Sequence, residues 1–130
     1  MQYARSLLFN FQMYLMLGLM GIAFFPLALA SRDGAQWACK TYCRWVRWTA
    51  GWMVGLKTEV RGAVPQDEVL VAAKHQSFLD IIIIFSALPA AKFIMKRELL
   101  WAPVLGQYAL RIGCVPVDRG KRGAAIAKML

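Results

Sequence analysis

Residues 7–30 carry no charged side chain, and this limits the chain more than any other feature. A helix needs about 20 predominantly apolar residues to cross a bilayer, and this stretch is longer than that. Only Asn10, Gln12 and Pro26 interrupt its apolar character. A membrane-spanning helix is therefore predicted. A secretory signal peptide is the rival, with Arg5 as its basic start and Ala28-Leu29-Ala30 as a small-residue cleavage site. Its apolar core would normally be about 7–15 residues, shorter than here. Arg32, Lys40, Arg44 and Arg47 crowd the downstream side, and basic flanks stay in the cytoplasm. A helix or hairpin dipping into one leaflet fits the same residues.

Composition supports a membrane surface. The chain has 130 residues, is 59% hydrophobic and carries a formal charge of +9. A soluble nucleic-acid binder can be this basic but is less apolar, and the cations here form no recognised nucleic-acid module. No nucleic-acid partner is expected. Anionic membranes attract such chains, each Lys or Arg near the surface contributing about 1 kcal/mol. Residues 36–56 read as an amphipathic helix. Lys40, Arg44, Arg47 and Gly51 share one stripe, with Trp37, Trp45, Trp48 and Trp52 on its flank. That pattern suits a helix lying in the interface, with cations at phosphate depth and indoles beneath. A core helix with a solvated basic edge is the alternative.

The character of the chain changes at residue 57. Residues 57–61, 69–73, 92–96 and 114–117 read as short strands. Helices are predicted over 77–87 and 98–112, the second interrupted or begun around Pro103. Gly113 is a C-cap candidate. A basic turn at 120–123 leads into a helix over 124–130. Strands alternating with helices indicate an α/β fold with a mostly parallel sheet. Residues 1–56 are thus expected to be a membrane anchor with an interfacial helix, and 57–130 the first part of an α/β domain. Such short strands make a poor core alone, so a truncated sheet within a longer protein is expected. The three cysteines, Cys39, Cys43 and Cys114, form no disulfide framework or metal-ligand pattern. They are expected to be buried or lipid-facing thiols, with no metal.

His75 is the one histidine of the chain. It follows the predicted strand 69–73, at the edge where open α/β sheets bind ligands. Asp80 lies one turn into the next helix. A carboxylate there could hold one ring nitrogen while the other takes a proton from substrate. Ser77 is too close for an ordinary triad, so direct transfer without a covalent enzyme intermediate is the chemistry that fits. Equally, Ser77 and Asp80 match a capping box, and Asp80 would then serve only the helix start. Lys96 and Arg119 follow predicted strands and could converge on a phosphate.

Lys74-His75-Gln76-Ser77-Phe78-Leu79-Asp80 resembles the His-x4-Asp motif of the 1-acylglycerol-3-phosphate acyltransferase family, with Lys74 where Asn usually stands. Phe93-Ile94-Met95-Lys96-Arg97-Glu98-Leu99, then Trp101, Pro103 and Gly106, then Gly113 and Val115-Pro116-Val117-Asp118-Arg119, resemble its next block in order and spacing. The resemblance covers roughly residues 60–125. It implies that His75 is the general base, Asp80 its orienting partner, and Lys96 and Arg119 the phosphate ligands. It implies transfer of an acyl chain from acyl-CoA or acyl carrier protein to the sn-2 hydroxyl of lysophosphatidic acid, with no further cofactor. It places the domain at the cytoplasmic face of a membrane, the bacterial inner membrane first. A Glu-Gly-Thr-Arg block sharing the phosphate is implied beyond residue 130. Other lysolipid acceptors, or a non-enzymatic basic adaptor, are the alternatives.

Overall fold

The computed structural model describes residues 1–118. Their elements are α1 (Gln2–Ala23), α2 (Phe25–Ala30), α3 (Arg32–Met53), α4 (Phe78–Ala87), β1 (Ile94–Lys96), a 3-10 turn (Arg97–Trp101), α5 (Leu105–Ile112) and β2 (Val115–Val117). This is a mixed α/β chain, as expected. It divides into two compact units. One holds Met1–Leu17 with Cys39–Ala91, the other Gly18–Ala38 with the chain from Lys92 onward.

The uncharged stretch is not one helix. α1 ends at Ala23 and α2 begins at Phe25, with Pro26 in its first turn. Proline has no N–H to continue the ladder, and its ring crowds the carbonyl four residues back. Among the described residues, α1 alone is long and apolar enough to cross a membrane. Leu7, Leu8, Phe11, Tyr14, Leu15 and Leu19 of α1 are exposed.

α3 begins earlier than predicted because Ser31 caps it. Its hydroxyl accepts the Gly34 N–H at 2.9 Å, satisfying one orphan donor of the first turn. The helix stops where Gly55 takes φ 74°, a left-handed conformation that glycine adopts without steric cost. The Leu56 N–H then turns back to the Ala50 carbonyl at 3.0 Å.

In the first unit the buried side chains are Met13 of α1, Tyr42, Cys43, Val46, Thr49 and Ala50 of α3, Ile82 and Phe85 of α4, and Ala91. Polar groups at this core are paired. Tyr42 Oη donates to the Met13 carbonyl at 3.1 Å, and Gln12 Nε2 donates to Thr49 Oγ1 at 3.3 Å. Gln12, a blemish in the apolar run, thus finds its partner inside. Arg47 ties three segments together. It donates to Thr58 Oγ1 (2.8 Å), the Thr58 carbonyl (3.3 Å) and Ser86 Oγ of α4 (2.8 Å).

The strands predicted over 57–61 and 69–73 are absent. Residues 57–61 form no ladder, and Arg47 holds the Thr58 carbonyl. Val69, Leu70 and Val71 are exposed, Leu70 at 90%. A strand needs a neighbour for its backbone groups, and among the described residues none pairs with this run.

In the second unit β1 and β2 form a two-stranded parallel sheet with Ile94 opposite Val115, Met95 opposite Pro116 and Lys96 opposite Val117. The connection runs through the 3-10 turn and α5, the helical crossover that parallel pairing needs. Pro103 marks the break between them, as predicted, but by an unforeseen device. Val104 takes φ 67° and ψ −63°, and the Leu105 N–H reaches the Pro103 carbonyl at 2.7 Å, closing a strained three-residue turn. Gly113 caps α5 in the left-handed region at φ 90°, as expected. The basic turn and helix predicted over 120–130 lie outside the described residues.

Arg32 stitches this unit together. Its Nε and Nη2 both donate to the Ile112 carbonyl, at 3.1 and 2.7 Å. A cation at the last carbonyls of α5 also opposes the negative end of the helix dipole. We predict that Arg32→Met costs about 1.5–3 kcal/mol, the range for hydrogen bonds from a charged donor. The thermal unfolding midpoint measures it, and an unchanged midpoint would refute the assignment.

Candidate active site

Residues 74–76 form an irregular segment ahead of α4, so His75 does not follow a strand as the sequence suggested. What fixes the segment is the start of α4. Ser77 is the N-cap and Asp80 occupies the third helical position of a capping box. Asp80 Oδ2 accepts the Gln76 N–H at 2.6 Å and the Ser77 N–H at 2.8 Å. The same oxygen stands 3.5 Å from His75 Nδ1. The helix-start role and the pairing with His75 are therefore one arrangement. Spacing alone offered them as alternatives.

The contact is long for a hydrogen bond, and catalytic hydrogen bonds often tighten only in the substrate complex. Its orientation matters more. With Nδ1 turned to the carboxylate, Nε2 has no partner among the described residues, and the imidazole is 60% exposed. Ser77 Oγ lies 3.5 Å from Asp80 Oδ1, so its hydroxyl belongs to the cap.

The Gln76 N–H first, then the Ser77 N–H, hold the Asp80 carboxyl below the usual carboxylate range, with a smaller contribution from His75. Hydrogen bonds to the ionised form favour it. Asp80 therefore stays negative wherever an imidazole titrates. The depressed value means that ionised Asp80 stabilises the fold above its ordinary pKa of about 4. That stabilisation disappears as pH falls through the lower folded-state value. We predict that Asp80→Asn lowers the unfolding midpoint at neutral pH, and that the gap to the wild type closes towards acid pH. A pH series of melts checks it. A gap that widens in acid would contradict the sign.

Lys96 ends β1, with Nζ 3.5 Å from Glu98 Oε1 and both side chains largely exposed. The register sets Lys96 beside Val117, so β1 and β2 end side by side and Asp118 leaves from the same edge. Arg119 lies outside the described residues. Lys96 belongs to the second unit, while His75 and Asp80 belong to the first.

Among the described residues no group of three His, Cys, Asp or Glu side chains is placed to hold a metal. None of the three cysteines forms a disulfide. Burial pushes the Cys43 thiol up to about 12 and raises that of Cys114, which leaves both as neutral thiols rather than nucleophiles. Two residues escaped the sequence reading, Arg47 and Arg32. Both looked like membrane-flanking charges, and only the tertiary contacts show them joining segments far apart in the chain.

A family model described as acyltransferase matches residues 57–130. The 1-acyl-sn-glycerol-3-phosphate acyltransferase alpha of Homo sapiens is 38% identical over 82 residues, covering 60% of this chain and 29% of that protein. The Mus musculus protein of the same name is 38% identical over 84 residues, 62% of this chain and 30% of that protein. The 1-acyl-sn-glycerol-3-phosphate acyltransferase of Pseudomonas aeruginosa is 24% identical over 103 residues, 78% of this chain and 40% of that protein. The chain thus spans less than half the length of each of these relatives. No solved structure matches it.

Proposed function

Because the chain belongs to the acyltransferase family, we propose that the full-length protein acylates the sn-2 hydroxyl of 1-acylglycerol 3-phosphate from an acyl thioester, giving phosphatidic acid. The observation that carries this reading is His75 Nδ1 held against the ionised Asp80, with Nε2 unpartnered among the described residues. The names of the relatives support the acceptor.

In this reading Nε2 removes the proton of the sn-2 hydroxyl as its oxygen attacks the thioester carbonyl carbon. Asp80 stabilises the imidazolium that forms. The carbonyl oxygen becomes an oxyanion. Gln76 and Ser77 have given their N–H groups to Asp80, so they are not its donors. Phe78 and Leu79, in the first turn of α4, have no intrahelical acceptor and meet it instead. The intermediate collapses, the carbon–sulfur bond breaks, and the departing thiolate takes the proton from His75. A thiol of pKa near 8.5 leaves without a metal. Neither metal nor cofactor is needed beyond acyl-CoA or acyl carrier protein as donor. Ser77, committed to the cap, forms no acyl-enzyme.

Lys96 and Arg119 hold the acceptor phosphate. The exposed Lys96–Glu98 pair is worth at most about 1 kcal/mol, so Lys96 is readily released to a phosphate. α1 anchors the protein in the membrane, and the basic residues after it keep the domain on the cytoplasmic face, in a bacterium that of the inner membrane. We predict that Lys96→Ala raises KM for lysophosphatidic acid roughly tenfold or more, as loss of a charge-assisted contact should, with little change in kcat. A lysolipid without a phosphomonoester should be unaffected. Equal losses on both acceptors would remove Lys96 from the phosphate site and point to another lysolipid.

A further inference from the structure

We propose that a cleft between α3 and the chain just after it binds the phosphate headgroup of an anionic membrane phospholipid. The cleft has a volume of about 430 Å³ and is lined by Arg44, Arg47, Trp48, Gly51, Lys57 and Thr58. It shares no residue with the His75–Asp80 pair, and it stands whether or not the acyl-transfer reading does.

Three cations line it, and among the described residues none of them is paired with a carboxylate. Arg47 spends three N–H groups on Thr58 and Ser86. All three acceptors are neutral, so the charge is uncompensated, and a guanidinium has five N–H donors in all. Two remain for a ligand. The packing that fixes Arg47 also pre-orients it, which lowers the entropy lost on binding. Thr58 Oγ1 accepts from Arg47 Nε, which leaves its own proton to donate to a phosphate oxygen. Arg44 and Lys57 are exposed and add charge from the rim. Gly51 leaves the floor open, since a Cβ there would meet nothing within 4 Å.

Trp48 separates a lipid from a free anion. It lines the cleft yet is 65% exposed, and it stacks obliquely on Trp52, itself 61% exposed, with ring centroids 5.9 Å apart. Exposed indoles settle at headgroup depth, which places the cleft where lipid phosphates lie. Three positive charges repel a choline or ethanolamine ammonium, so an acidic headgroup is selected over a zwitterionic one.

The test reconstitutes the full-length protein in nanodiscs of phosphatidylcholine with phosphatidylglycerol as the anionic probe. Native mass spectrometry then counts the lipid each chain retains. The wild type should retain phosphatidylglycerol in preference to phosphatidylcholine. The Arg44→Gln/Lys57→Gln variant should lose that preference roughly tenfold. Among the described residues neither side chain makes an internal hydrogen bond, so the fold should persist by circular dichroism. Gly51→Leu keeps every charge but fills the cleft, and it should lose retention similarly. A control pair, Arg5→Gln/Arg111→Gln, removes the same charge elsewhere and should leave retention within about twofold. Full retention in both cleft variants, or an equal loss in the control pair, would overturn the proposal. Displacement of the lipid by millimolar inorganic phosphate would also overturn it, by making the cleft a free-anion site.

Discussion

Replacing His75 by alanine in the full-length protein should reduce kcat for acyl transfer by about 10²–10⁴-fold, the usual contribution of a positioned general base. The prediction is sharp because the imidazole does little else. It is mostly exposed, and its one polar contact among the described residues is the 3.5 Å approach to Asp80. Exposed substitutions of this kind change stability by about 0.5 kcal/mol or less, so the unfolding midpoint should hold while turnover collapses. Acceptor KM should change little, because the proposed phosphate ligands are untouched. Asp80→Asn should show both defects, slower turnover and a weaker helix start, because one carboxylate serves both. If His75→Ala turned over normally, direct transfer by this pair would be wrong, and the general base would lie elsewhere in the full-length protein.

The second large effect is on stability. Gly106→Ala should cost about 3 kcal/mol, the upper end of the overpacking range, because the obstacle is backbone. A Cβ on Gly106 would overlap the carbonyl of Leu100. That carbonyl belongs to the 3-10 turn that leads into α5, and the turn cannot move without shifting β1, which it directly follows. The melting midpoint should fall by several degrees or more. Gly51→Ala is the internal control. A methyl group there meets nothing within 4 Å, and alanine in a helix gains about 0.5–1 kcal/mol over glycine. The two substitutions should therefore move the midpoint in opposite directions. A harmless Gly106→Ala would mean that α5 does not pack against the turn as described.

The elements that sequence made legible are those fixed by local chemistry. The four-isoleucine run of α4 has strand propensity, yet Ser77 and Asp80 announce a helix start, and the capping pattern decides. Gly113 and Pro103 likewise punctuate α5 without help from distant residues. Residues 69–73 look like a strand by composition, but a strand also needs a neighbour, and composition carries no information about one. The break at Phe24 was hidden because an uncharged stretch says nothing about continuity, although Pro26 was the available signal. At the candidate site, the spacing from His75 to Asp80 was readable. That both roles of Asp80 coexist was not, since they looked like competitors until the shared oxygen was visible. Arg32 and Arg47 were invisible for a simpler reason: a cation's partner 80 or 39 residues away leaves no mark nearby.

One oxygen of Asp80 faces two amides and an imidazole at once. Any proton arriving on the ring must draw that oxygen outwards, at the expense of its grip on the backbone of Gln76 and Ser77. Those two amide protons should therefore report the state of the base, exchanging with solvent faster when the ring is charged and slower when it is neutral. A label on two backbone amides would then follow the chemistry, with no substrate present.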